Sequence, residues 1–282
     1  MNLKKISSIL ATCVIAGTLF TGCGGDNSAQ TSGDIKIGMI KHLNATETMM
    51  DELVKKAEKE ANIKLSTHKT TFYDNLPLLQ MGLDSGSIEE ASTYKCVADY
   101  IVARNPKVEI ADGHNPTHLA DNFSFALRAG DTELKQQIDA AINAMKADGT
   151  LDSITKTYIT DLKGAEDPPA VAIETFDGAE TLKIGVTGDL PPLDLVLANG
   201  EIAGFNTAML AELGKRLQRN IQIIQIDSAS RAAALTSNQI DVSFWAVVPV
   251  SDEMPMDIDK PEGVEVSEPY FRDEIVHIEL KK

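Results

Sequence analysis

The sequence predicts an α/β fold of two similar lobes, each with a parallel-rich sheet, and three observations carry that prediction. Short β-branched runs alternate with helical patterns along most of the chain, which is how parallel strands with covered faces are written. The pattern then repeats. Lys36-Ile37-Gly38 is echoed by Lys183-Ile184-Gly185, and Leu83-Asp84-Ser85-Gly86-Ser87-Ile88 by Leu235-Thr236-Ser237-Asn238-Gln239-Ile240, at offsets of 147 and 152 residues. Between the copies, residues 162–180 have no period and carry Pro168-Pro169, the mark of a linker that is semi-rigid at its centre.

In the first copy a strand is expected at Ile35–Ile40. A helix follows with Met49, Met50, Leu53, Val54, Ala57 and Ala61 on one face, opened by Asn44 and Glu47 as a variant capping box. A strand at Ile63–Thr67, a short helix at Leu76–Leu83 and a strand at Glu90–Thr93 come next. Helices at Cys96–Arg104 and Glu133–Ala147 flank a strand at Phe123–Arg128, and Thr150–Thr160 closes the lobe. The second copy reads strand 182–187, an Asn199-Gly200 turn, helix 206–218, strand 221–226, helix 229–236 and strand 240–246.

The N-terminus reads as an export signal rather than part of the fold. Lys4 and Lys5 precede an apolar run from Ile6 to Phe20 that is too short to span a bilayer as a mature helix. Phe20-Thr21-Gly22-Cys23 matches a bacterial lipobox, so residues 1–22 are expected to be a lipoprotein signal and Cys23 the diacylated first residue; two chains anchor stably. Residues 23–34 then form a flexible tether. With Cys13 removed and Cys23 lipidated, Cys96 alone remains in the folded part, so no disulfide framework exists, and Cys96 is expected to pack as a small hydrophobe.

The full chain has a formal charge of −16, from 26 basic and 42 acidic side chains; without Lys4 and Lys5 the mature charge is −18. That sign argues against nucleic acid or an anionic membrane surface as a partner. His114 and His118 flank Pro116, which opposes a helix that would align them, and no carboxylate or cysteine completes a metal set nearby. No phosphate-binding loop, dinucleotide fingerprint or nucleophile elbow is present, and neither a catalytic residue nor a cofactor is expected.

Two segments resemble the two lobes of family 3 extracellular solute-binding proteins, in reversed order. Residues 182–272 resemble the opening lobe, through Gly185-Val186-Thr187-Gly188-Asp189-Leu190-Pro191-Pro192, Asn199-Gly200 to Phe205-Asn206, Ser230-Arg231 to Ile240-Asp241, and Glu268-Pro269-Tyr270-Phe271. Residues 36–161 resemble the closing lobe and tail, through Phe72-Tyr73-Asp74-Asn75-Leu76, Asp84 to Ile88, and the helix pair after Phe125-Ala126-Leu127-Arg128. The resemblance implies a periplasmic-binding-protein-like type II fold with lobes joined at a hinge, in which Asp273–Leu280 and Phe123–Arg128 take the two hinge-strand positions. It implies a circular permutant: a closing-lobe-like domain at 35–161 and an opening-lobe-like domain at 181–282, rejoined through 162–180. A fusion of two half-genes whose lobes do not close on each other is the competing explanation.

The resemblance also places the site between the lobes. Amino-acid-binding members hold the α-carboxylate with an arginine shortly after the fourth strand of the opening lobe. Here that run reads Trp245-Ala246-Val247-Val248-Pro249-Val250-Ser251-Asp252-Glu253, with no arginine; a bidentate fork has no substitute among those side chains. The position of the closing-lobe aspartate reads Tyr94 or Lys95, and the aromatic platforms read Leu190 and Leu193. The candidate ligand-binding residues are therefore Asn44 and Thr46 at a helix start, which offers free N–H donors, Tyr94 and Lys95 at a strand end, and Asp189, Arg231, Trp245 and Val247 from the other lobe. Arg231 stands where members that bind acidic ligands direct an arginine into the cleft. The expected function is a lipid-anchored, monomeric extracytoplasmic protein delivering a small polar solute, amino-acid-like or an organic acid, to an ABC importer permease. A sensing or interaction module that has lost solute binding is the alternative.

Overall fold

A glycine and an isoleucine set the geometry at the start of each half. In the computed structural model, which describes residues 35–40, 68–111, 120–162, 166–247 and 261–282, the first strand is β1 (Ile35–Ile40). It pairs in parallel with β2 (His68–Tyr73) and β3 (Glu90–Tyr94). Its counterpart β6 (Thr181–Val186) pairs in parallel with β10 (Asn220–Gln225) and β11 (Val242–Val247). A Cβ on Gly38 would lie 2.4 Å from Ile88 Cδ1, and one on Gly185 2.6 Å from Ile240 Cδ1. The sequence echo is thus an echo of packing: Lys-Ile-Gly supplies the gap and the later isoleucine fills it.

The elements leading to each isoleucine match in the same detail. Helix α1 (Leu76–Asp84) begins at Asn75, whose Oδ1 accepts the Leu78 N–H at 3.0 Å, and Pro77 stands in the first turn where an N–H would lack a partner. Leu76, Leu79 and Leu83 form its buried face. It ends with Ser85 and a left-handed Gly86 (φ 71°); the shorter helix α6 (Arg231–Thr236) ends with Ser237 and a left-handed Asn238 (φ 62°), the two residue types that tolerate this turn. After each turn the chain ties back to the first strand. Glu89 N–H donates to Lys36 O at 2.8 Å and Asp241 N–H to Lys183 O at 2.7 Å, while the Glu89 and Asp241 carboxylates accept the Lys36 and Lys183 N–H groups at 3.2 and 2.9 Å.

Two long strands join these halves. Strand β5 (Ala120–Arg128) runs antiparallel to β11 and to the short β12 (Val264–Val266). Strand β13 (Phe271–Leu280) runs antiparallel to β5 through Phe271–Glu274, and to β3 and the short β4 (Val108–Ile110) further along. The continuous order is β10-β6-β11-β5-β13-β3-β1-β2, with β12 on β5 and β4 on β13. The parallel expectation, made for each half, holds within each, and the strands that join the halves pair antiparallel.

The register brings distant parts of the chain together. Glu90 opposes both Ile37 and Glu279, so Ile35 and Leu280 lie about two strand spacings apart, roughly 10 Å. Helices α2 (Lys95–Arg104), α3 (Thr132–Asp148) and α4 (Thr150–Thr155), with a π turn over Lys156–Thr160, follow the expected ranges within a residue or two. The α3–α4 pair packs on α5 (Phe205–Leu217), and Arg216 donates to Asp148 at 2.8 Å and Thr150 at 3.0 Å. One apolar core runs from Leu79 and Ile88 through Phe125, Ile142 and Met145 to Ile184 and Met209. Cys96 is buried in it, and burial pushes its thiol well above the ordinary range, as expected for an inert side chain.

Residues 166–180 hold no helix, yet they are fastened. The Asp167 carboxylate accepts from Tyr100 at 2.6 Å and Arg104 at 3.0 Å, and the Asn220 side chain bonds Phe176 and Ala179. Strands β4 and β12 and a small sheet of β7 (Asp189–Leu190), β8 (Asp194–Val196) and β9 (Ile202–Ala203) were not expected. Two or three residues are too few to show a period. The predicted helix at 44–61, the strand at 63–67, Cys23, and the His114/His118 pair lie outside the described residues. Among the described residues no helix is long and apolar enough to cross a membrane.

The gap at the second half's glycine makes a direct test. Gly185→Ala should destabilise the fold by roughly 1–3 kcal/mol through overpacking, because its Cβ would meet Ile226 and Ile240 at 2.6 Å. Urea unfolding of Gly185→Ala, alone and with Ile240→Val, should show partial rescue in the double variant.

Candidate functional site

The strand ends converge on a cavity of about 70 Å³ where the two halves meet. From the first half and the long strands come Ile40 at the end of β1, Tyr94 at the end of β3, and Phe123 of β5. From the second come Gly185 of β6 and Thr187 just after it, Leu190, Leu193 and Asp194 around the Pro191-Pro192 turn, and Asn206 at the start of α5. Ser228 before α6 and Arg231 at its first position, with Ser243, Phe244 and Trp245 of β11, complete the lining. A cavity outside the carboxyl ends of parallel strands is where open α/β sheets place ligands.

Of the residues picked from sequence, the structure brings Tyr94, Arg231 and Trp245 to this one cavity. Tyr94 is the residue before α2 and lies edge-on to Phe123, ring centroids 4.7 Å apart. Trp245 is buried, 3% exposed, and the Arg231 guanidinium lies 5.4 Å from its ring. Arg231 is fixed to the wall: its Nε donates to Ser228 O at 3.1 Å and its Nη1 to Phe244 O at 3.0 Å. Those bonds turn much of the guanidinium toward backbone carbonyls.

Lys95 does not line the cavity. As the first residue of α2 it is exposed and pairs with Asp99 at 2.6 Å, one helical turn on. Asp189 also lies outside the lining; half-buried on β7, its carboxyl is raised above the ordinary range by burial, against bonds from Thr187 and the Leu76 N–H that pull it down. Val247 is the last residue of β11, opposite Asn122. Asn44 and Thr46 lie outside the described residues.

The sequence missed the most consequential charge in the cavity. Asp194 is fully buried and accepts the Thr187 N–H at 3.1 Å and the Thr187 hydroxyl at 3.0–3.1 Å. Burial pushes its carboxyl up to about 6, with the charge of Asp189 adding to the rise and the Thr187 bonds opposing it. Asn206 was within a motif noted from sequence and Phe244 was adjacent to Trp245; their roles in the lining follow from β11 and α5 meeting, which no local pattern announces. Asn206 Oδ1 accepts from the buried Tyr270 hydroxyl at 3.1 Å. Among the described residues no cluster of histidine, cysteine and carboxylate side chains could hold a metal ion.

Comparison with known proteins adds a family match over part of the chain. Among solved structures, similar chains include the ligand-binding component of an ABC-type import system from Staphylococcus aureus with zinc bound (14% identity, TM-score 0.44, covering 87% of this chain and 65% of that one). Others are the GluR0 ligand-binding core in complex with L-glutamate (8%, TM-score 0.39, 89% and 86%) and the periplasmic aliphatic sulphonate binding protein SsuA from Escherichia coli (12%, TM-score 0.35, 88% and 61%). The chain thus spans about two thirds of the length of the first of these. No curated protein matches it. Residues 182–276 match the sequence profile of the bacterial extracellular solute-binding proteins, family 3.

Proposed function

We propose that this chain is a lipid-anchored extracytoplasmic binding protein that holds a small polar solute and presents it to an ABC importer. The observation that carries this reading is the shared cavity, with Ile40 and Tyr94 on one side and Thr187, Arg231 and Trp245 on the other. A solute there touches both halves and so stabilises their closed arrangement by its differential contacts. Domains at 35–161 and 181–282, in permuted order, belong to the same reading. The roughly 10 Å between Ile35 and Leu280 supports it, since a short connection there would restore the ordinary chain order. The α3–α4 pair resting on α5 supports it too, because residues 162–180 then rejoin parts that are already neighbours.

A thermal-shift panel of amino acids, organic acids, amines and neutral polar solutes tests the reading on the exported chain. One class should raise the unfolding temperature by several degrees and saturate, since a ligand that binds only the folded state stabilises by mass action. A flat response across the panel at millimolar concentration favours the second reading, a sensing or interaction module without a solute. Arg231 directed to backbone carbonyls, in place of a free carboxylate clamp, is the observation on that module's side.

A further inference from the structure

Accounting for every arginine in the chain narrows what the cavity could recognise. There are six. Arg104 pairs with Asp167, Arg128 with Asp131 and Asp241, Arg216 with Asp148 and Glu212, and Arg219 with Glu180. Arg272 is exposed on β13 and outside the lining, and Arg231 is held by two carbonyls. No lysine is among the described residues that line the cavity. A carboxylate entering it would therefore meet no bidentate fork, and it would be buried beside another carboxylate.

The opposite charge meets better company. Asp194 is fully buried while Arg231 keeps some exposed surface, so the anion acts through the low-polarity interior and the cation is partly screened by solvent. Around the same small space stand the rings of Tyr94, Phe123, Phe244 and Trp245. Aromatic rings around a cation, with a carboxylate to answer its charge, are the general solution for alkylated ammonium groups, which are too weakly hydrated to need many hydrogen bonds. Of the other polar lining residues, Thr187 bonds Asp194, Ser243 bonds Gly185 O, Asn206 Oδ1 accepts from Tyr270, and the Ser228 carbonyl accepts from Arg231.

Building on the solute-binding reading, we propose that the cavity selects a small organic cation of the alkylammonium type, seated among Tyr94, Phe123, Phe244 and Trp245 and balanced by Asp194. The ligand class is then opposite in sign to the one that Arg231 suggested from sequence.

Calorimetry on the exported chain tests this with tetramethylammonium, methylammonium, acetate, L-glutamate and glycerol as probes. Tetramethylammonium or methylammonium should bind at least about tenfold more tightly than either carboxylate. Asp194→Asn should weaken the cation by about tenfold or more, the scale of a lost charge-assisted contact, and Tyr94→Leu by roughly threefold or more, the scale of one aromatic face. Far-ultraviolet circular dichroism checks that each variant folds; if Asp194→Asn does not, Tyr94→Leu decides, because its ring is only half-buried. Carboxylate binding with silent cations overturns the proposal, and so does a cation affinity unchanged in the folded variants. Binding of glycerol alone overturns the cation and leaves the solute-binding reading standing. No heat with any probe, together with a flat thermal-shift panel, overturns both.

Discussion

Replacing Phe125 by alanine should cost about 3–5 kcal/mol of stability, the range for truncating a fully buried aromatic ring. Phe125 lies at the middle of β5 with no exposed surface, its ring 5.6 Å from Phe244 and 4.7 Å from Tyr270. Its backbone is equally committed. The Phe125 N–H donates to Ser267 Oγ at 2.9 Å, its carbonyl accepts from Ser267 N at 2.8 Å, and its strand pairs with β11, β12 and β13. A cavity at that point loosens the strand through which both halves are joined. Phe125→Leu should cost less than half as much, since most of the volume is kept. Urea unfolding followed by circular dichroism gives both numbers, and equal stability of Phe125→Ala and the parent would remove β5 as the organising strand.

A second large effect should appear as a pH dependence set by Asp194. Its carboxyl holds its proton up to about pH 6 in the folded chain and releases it near 3.9 once unfolded. Between those values the folded state carries the extra proton, so stability falls as pH rises from about 4 to 6. The full difference for a shift of about two pH units is on the order of 3 kcal/mol. The residue is fully buried, so solvent screening takes little from it. Asp189 and Asp273 are raised in the same direction by burial and steepen the fall. Asp194→Asn, which keeps the shape but does not titrate, should gain on the parent as pH rises from 4 to 7. Parallel stability curves for the two proteins across that range would show that the Asp194 carboxyl is as well solvated folded as unfolded.

Several features were legible because they are local. Asn75 and Pro77 announce the start of α1, and Gly86 and Asn238 announce the left-handed turns that end α1 and α6. The Lys-Ile-Gly echo predicted two like halves, and the structure shows why the echo is tight: Gly38 and Gly185 each make room for one isoleucine. Tyr94 and Trp245 were found because strand ends can be read from a run of residues, and both line the cavity.

Other features depend on which groups the fold turns toward one another. Lys95 was chosen for its position at a strand end, but Asp99 lies one helical turn away and takes the charge. Arg231 was read as a free cation in the cleft, and the carbonyls of Ser228 and Phe244 that hold it are brought there by the fold. Asp194 was not singled out among the acids of a chain of net charge −16, and its burial comes from the small sheet and α5. The sequence by itself determined the α/β halves, their repeat, the helix boundaries and the absence of the usual carboxylate arginine, because propensity, capping and composition act over a few residues. Only the tertiary structure decided how the joining strands pair, which candidates share the cavity and which charge is buried there. Burial and long-range hydrogen bonds exist only after segments more than a hundred residues apart have met.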